Sequence, residues 1–265
     1  MFTALRAYPR LLKANWSLAI EYRAELILWF LSGTFPFIML GVWLNIAKGR
    51  TLNGFDENAF VAYYLAVAWV RRINFIWIIH DIEDRIRTGE LSPFLLRPLD
   101  FAHHIFTKVV AVRLYNAIII GVVVGVIALL IPGQQFDIRP LNLLLFAFVI
   151  IIGFGFEFLA QYIAGTLAFW TTQVQRIHDV WWFAKTLLGG FLLPMSLLPP
   201  QAQAIAQWLP FQISIGLPVE ILIGRATPER IAFGLAVSSV WIIAMFIGSR
   251  LLWRAGLRSY GAVGA

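Results

Sequence analysis

One carboxylate stands inside a long apolar run, Glu157 in the stretch Gly153-Phe154-Gly155-Phe156-Glu157-Phe158. An ionised side chain at the centre of a bilayer costs roughly 2.5–3.5 kcal/mol on insertion scales, so it must face a bundle interior or water. Arg71 and Arg72 interrupt a second apolar run and are its candidate partners. Two uses of these residues stay open. They form a structural ion pair, or they line a route for a cationic or amphipathic solute.

The densest cluster of charge lies elsewhere, in Ile78-Ile79-His80-Asp81-Ile82-Glu83-Asp84-Arg85-Ile86-Arg87-Thr88-Gly89-Glu90-Leu91. Ile78, Ile79, Ile82 and Ile86 make one apolar stripe at helical spacing, and the charges occupy the other faces. Gly89 is a helix stop. Ser92-Pro93 then reads as an N-cap with proline at the first helical position, opening a short turn before Pro98. Such a stiff element can pass force into a helix bundle; it can equally be a solvated turn.

Familiar catalytic signatures are absent from the sequence. There is no Gly-Lys pair for a phosphate-cradling loop, no His-Glu-x-x-His and no Gly-x-Ser-x-Gly. Four histidines (His80, His103, His104 and His178) sit at expected helix ends as solvated polar residues, and no cysteine is available for thiolate metal sites. We therefore expect no catalytic residue and no bound metal.

The elements that must position these residues are membrane helices. Of the 265 residues, 60% are hydrophobic and only 13% charged, about half the roughly 25% of a soluble domain. A water-soluble globular enzyme is excluded on that ground. Six apolar segments are expected to span, over residues 26–47, 59–79, 105–131, 141–170, 180–198 and 231–252. Pro36 is an expected kink in the first. The fourth is too long for one perpendicular crossing, with Gly153 and Gly155 as its weak points. Residues 1–24 read as an interfacial elbow helix, with Arg6, Arg10 and Lys13 beside an apolar face, rather than a cleaved signal. Residues 199–229 carry five prolines and are too broken to span. The whole chain, 1–265, reads as one all-α membrane domain with a tail over 253–265. Trp43, Trp182 and Trp253 are candidate interfacial anchors.

The net charge of +7 follows from topology rather than nucleic acid. With both termini inside, only Lys48, Arg50, Arg139, Arg225 and Arg230 of the 21 Lys and Arg fall outside. That bias is the positive-inside signature.

The run from Ile86 to Leu99, Ile-Arg-Thr-Gly-Glu-Leu-Ser-Pro-Phe-Leu-Leu-Arg-Pro-Leu, resembles the I-x-x-G-x-L-x-x-x-L-L-R-P-L signature of one branch of bacterial type-2 ABC exporter permeases. Elbow, six spans, a charged element after the second span and a proline-broken outer segment are similar too. The resemblance implies a permease in the bacterial cytoplasmic (inner) membrane, paired with a second copy or a homologous permease. It also implies docking on a separate ATPase subunit that holds ATP and Mg, with no cofactor on this chain. The element after span two would then be a coupling helix, its contacts lying around Asp81, Glu83, Asp84, Arg85, Arg87, Gly89 and Glu90. Residues 199–229 would form re-entrant helices of an outer lid. Lipid would surround the protein, and the solute would be a hydrophobic or amphipathic drug, dye or lipid. Two other classes compete. A secondary transporter would use Glu157 as proton carrier and should show inverted repeats, which the sequence lacks. A lipid-modifying membrane enzyme should converge acidic or histidine residues at one interface, and only Asp81, Glu83 and Asp84 come near that.

Overall fold

The computed structural model describes residues 8–16, 34–130 and 136–261. Apart from one isolated bridge between Leu52 and Phe55, regular structure among them is helical. Among the described residues four helical runs are long and apolar enough to cross a bilayer: Glu57–Arg87, Phe101–Leu130, Pro140–Phe169 and Pro228–Ser259.

Pro36 opens helix α1 (Phe35–Ile46) rather than kinking it; a proline in the first turn removes an N–H that has no helical partner there. Residues 26–33 of the first expected span lie outside the described residues, as do 1–7 and 17–24 of the elbow. Residues 8–16 are helical, and Trp16 meets Tyr115 edge-on with ring centroids 5.9 Å apart.

Helix α2 (Glu57–Asn74) begins where the Asp56 carboxylate accepts from the Ala59 N–H at 2.8 Å, a side-chain cap for one orphan donor. It is buried on most sides, with Phe60, Tyr63, Tyr64 and Val67 wholly enclosed. After a non-helical step at residues 75–78 the chain resumes as α3 (Ile79–Arg87). Then come α4 (Phe101–Leu130) and α5 (Pro140–Thr166), the latter ending in the 3₁₀ turn Leu167–Phe169.

Helix α5 does not break at its glycines. It runs unbroken through Gly153 and Gly155, and a Cβ on Gly153 would lie 2.5 Å from the Ile213 carbonyl oxygen and 2.8 Å from Asn74 Nδ2. Gly153 is thus a point of close approach, where the segment after Pro210 leans on α5.

The fifth expected span also differs. Its helix, α6 (Val174–Leu188), stops at Gly189, and Gly190 turns the chain at φ +87°. Carbonyls freed by this break are met individually: Leu188 O by the Gln212 amide, Gly189 O by Gly216 N at 2.9 Å, and Gly190 O by the Tyr63 hydroxyl at 2.6 Å. Leu192 O accepts from both Tyr64 (2.5 Å) and Trp43 (2.9 Å). Irregular backbone inside an apolar slab needs such shielding.

The proline-rich stretch forms α7 (Pro200–Ala206), a 3₁₀ turn (Pro210–Ile213) and α8 (Gly216–Leu222). All are too short to cross. Helix α8 lies in the core against α2 and α5, with Leu217, Val219 and Ile221 buried. Helix α9 (Pro228–Ser259) starts at Thr227, whose side chain accepts from Arg230 N.

A second apolar cluster closes one end of the bundle around Trp253, which is buried against Phe101 and Tyr162 with centroids 5.4 Å away in each case. Trp253 and the half-buried Trp43 pack within the protein, so neither is the lipid anchor expected; Trp182 alone of the three is exposed. Ser92 meets Tyr260, and Asp100 meets Arg250, at this same end. It also holds Arg85, Arg87 and Arg97, and we refer to it as the basic end.

Candidate functional site

The charged segment at the basic end is built as an amphipathic lever. Ile79, Ile82 and Ile86 are buried, and Ile82 packs so closely on α5 that a Cβ on Gly165 would come within 2.8 Å of Ile82 Cβ. The helix terminates as its sequence demands: Gly89 adopts φ +78°, a conformation that costs glycine little, and Leu91 N reaches back to Arg85 O at 2.9 Å.

The seven candidates on this lever, six charged residues and Gly89, divide by exposure. Glu83 is buried, 8% exposed, and clasped by Arg87 at 2.8 Å and His80 at 3.5 Å. Asp81 pairs with Lys108 of α4 at 2.5 Å. Arg85 lies over the Phe94 ring at 4.7 Å, with Arg97 also 4.6 Å from that ring. Gly89 is half-buried, which leaves Asp84, Arg87 and Glu90 as the exposed rim. Ser92 does not cap the turn after Gly89; no side-chain cap bond forms, and its hydroxyl instead lies 3.1 Å from Tyr260 OH.

Glu157 sits in a cleft further along the bundle, on the buried side of α5. It is 1% exposed. Its partner is neither Arg71 nor Arg72 but Lys185 of α6, whose Nζ lies 2.8 Å from Oε2. The Ser214 hydroxyl donates to Oε1 at 2.5 Å, and Asn74 Nδ2 donates to the Ser214 carbonyl at 2.7 Å. One carboxylate therefore ties α5, α6 and the segment before α8 together. Removing either charge would strand the other in low dielectric.

Arg71 lines the same cleft with Asn74, Phe75, Trp182, Lys185, Thr186, Phe191 and Ser214. Its guanidinium stacks on Phe191 at 4.6 Å and approaches the Phe75 ring at 5.5 Å. Arg72 does not line it. The cavity volume is about 30 Å³, room for a few waters and far below the several hundred Å³ of a drug-sized site.

Two further polar residues join α5 to α6. Gln161 Nε2 and His178 Nε2 are 2.6 Å apart in the interior, and Gln161 Oε1 accepts from Ile78 N at 3.4 Å. That last contact touches the non-helical step leading into the lever. His178, expected as a solvated residue at a helix end, is buried at 3% exposure, and Lys185, which falls inside the expected span 180–198, has a side chain only 14% exposed. A lone lysine among Trp181, Trp182, Phe183 and Leu187 was the available signal for burial. No group of three or more His, Cys, Asp or Glu suited to a metal occurs among the described residues.

At the end opposite the basic one, Asp137 accepts from Arg139 Nε at 2.8 Å and from Asn142 Nδ2 at 2.5 Å. These bonds hold its carboxyl down at about 2. Its backbone N–H donates to Leu222 O at 2.8 Å, fastening the start of α5 to the end of α8.

A family model described as ABC-2 family transporter protein matches residues 31–264. No curated protein matches the chain.

Proposed function

The chain belongs to the ABC-2 family of transporters, and from that premise we propose that it is the permease half of an ATP-driven exporter. It is a membrane transport component with several apolar crossing helices. In our reading two such bundles pair, as a homodimer or with a homologous permease, and each docks on a separate ATPase subunit that binds ATP and Mg. The basic end faces the cytoplasm of a bacterium, by the positive-inside rule. In this reading the two remaining expected spans, the one that contains α1 and the one over 180–198, bring the crossings to six. Helices α7 and α8 form the outer lid.

The observation that carries this proposal is the lever itself. Helix α3 follows a membrane-crossing helix after a four-residue step, presents Asp84 and Arg87 to solvent with Glu90 in the turn beyond it, and is keyed into α5 through Ile82 and Gly165. An ATPase that pushes on this rim would move α5 directly. Bistable packing of this kind switches between states rather than deforming smoothly. A proton-carrying Glu157 gains no support, because Lys185 and Ser214 already engage the carboxylate.

The test is co-purification with an ATPase encoded beside this chain, followed by hydrolysis and transport assays in proteoliposomes. A cysteine at Glu90 should crosslink to the ATPase while one at Ile82 should not. ATP-dependent export with that pattern supports the reading. Solute movement without any nucleotide-hydrolysing partner would overturn it.

A further inference from the structure

We infer that the cleft beside Arg71 binds the oxyanion head of an amphiphile, a phosphate or chemically similar group, rather than a cation. Charge balance is the argument. Glu157 is the only carboxylate lining the cleft among the described residues, and Lys185 neutralises it at 2.8 Å. Arg71 then remains as an uncompensated cation. Its guanidinium makes no ion pair or hydrogen bond among the described residues and lies against the rings of Phe75 and Phe191.

A second guanidinium stands behind the first. Arg113 of α4 lies 5.6 Å from the centre of the same Phe75 ring, and its Nε is buried with no acceptor. Cations held this deep in a membrane bundle are costly unless an anion meets them. Guanidinium groups present forked donors that match phosphate or carboxylate geometry. Asn74 and Thr186 add polar groups to the wall, and the exposed Trp182 supplies an apolar, polarisable rim. Exposed Val180 and Phe183 on the same helix offer a surface for an acyl or aryl tail outside the cleft. The small cavity thus receives a head group while the tail stays in the apolar phase.

The role in transport rests on the exporter reading; the binding does not. The probe is dihexanoyl phosphatidic acid, titrated against the thermal stability of the purified chain in a maltoside detergent. Dihexanoyl phosphatidylcholine and inorganic phosphate are run alongside. Phosphatidic acid should raise the Tm saturably, and Arg71→Gln should weaken the apparent Kd about tenfold or more, the scale of a lost charged hydrogen bond. Glu157→Gln should tighten it severalfold, because it removes the one carboxylate that lines the cleft among the described residues. Damage to folding alone would move both variants the same way. Arg71→Lys, which keeps the charge but loses the forked donors and the ring stacking, should still bind phosphatidic acid saturably though severalfold more weakly than wild type, and covers the case in which Arg71→Gln does not fold.

An unchanged Kd in Arg71→Gln, or weakening in Glu157→Gln, would overturn the site. Equal shifts with phosphatidylcholine would overturn its preference for net negative charge. Inorganic phosphate matching phosphatidic acid would overturn the amphiphile assignment in favour of a free anion. Arg71-dependent binding that leaves hydrolysis by the ATPase complex unmoved would confirm the site and count against the exporter reading.

Discussion

Gly165 and Ile82 touch where a side chain on the glycine could not fit: a Cβ there would lie 2.8 Å from Ile82 Cβ. The lever is therefore seated on α5 through backbone on one side and a branched side chain on the other. Gly165→Ala should force the two apart and lower stability by about 1–3 kcal/mol, the usual cost of overpacking. In the ATPase complex it should also reduce transport per ATP hydrolysed. Thermal unfolding in detergent and a transport-to-hydrolysis ratio measure the two effects; an unchanged ratio would show that the contact does not carry motion.

The Glu157–Lys185 pair makes a different prediction. Lys185→Met leaves a carboxylate that is 1% exposed with only Ser214 for company. The expected loss is about 3–5 kcal/mol. Adding Glu157→Gln to Lys185→Met should recover much of that loss, because no charge is then stranded. A double-mutant cycle on unfolding midpoints reads the coupling directly.

Charge on the lever should separate docking from folding. Asp84→Lys and Glu90→Lys act on exposed side chains and should change stability by no more than about 0.5 kcal/mol. They should nonetheless weaken assembly with the ATPase, with the defect depending on salt. Glu83→Ala removes a buried carboxylate held by Arg87 and His80. It should cost about 1–2 kcal/mol, discounted because Arg87 is partly solvated. Pull-down efficiency across a salt series and melting curves distinguish the two classes.

Acidification should loosen the fastening at Asp137. Its carboxyl is held at about 2 by hydrogen bonds from Arg139, below the ordinary 3.8. A depressed carboxylate contributes stability that is present above its unfolded value and fades as pH falls through the folded one. The contribution should thus be intact at pH 5 and disappear between about 4 and 2. Asp137→Asn should differ from wild type at pH 5 and converge with it near pH 2, followed by hydrogen exchange at the start of α5.

The features legible in sequence were those set by local pattern. The apolar stripe of α3, the stop at Gly89 and the isolation of Glu157 in an aromatic run all depend on neighbours within a few positions, and each appears in the fold. Long-range pairing was not legible. Glu157 and Lys185 are 28 positions apart, and basic residues as distant in sequence as Arg71 were equally good partners on paper. Lys185 falls inside the expected span 180–198, yet counting charge by side grouped it with the cytoplasmic residues, and only the fold shows α6 bringing it to Glu157. Trp253 misled for a related reason: a tryptophan beside an arginine near a helix end reads as an interface anchor, and only the packing of Phe101, Tyr162 and Phe169 around it shows otherwise.

The aromatic hooks over the broken stretch after α6 are unequal in redundancy. Among the described residues Leu192 O has two suitors, Tyr64 and Trp43, whereas Gly190 O has Tyr63 alone. A change usually counted as gentle, tyrosine to phenylalanine, is therefore tolerable at residue 64 and severe at residue 63. What the hydroxyl at the latter position protects is a single oxygen atom, while the ring that carries it fills the core against Phe55 and Tyr64.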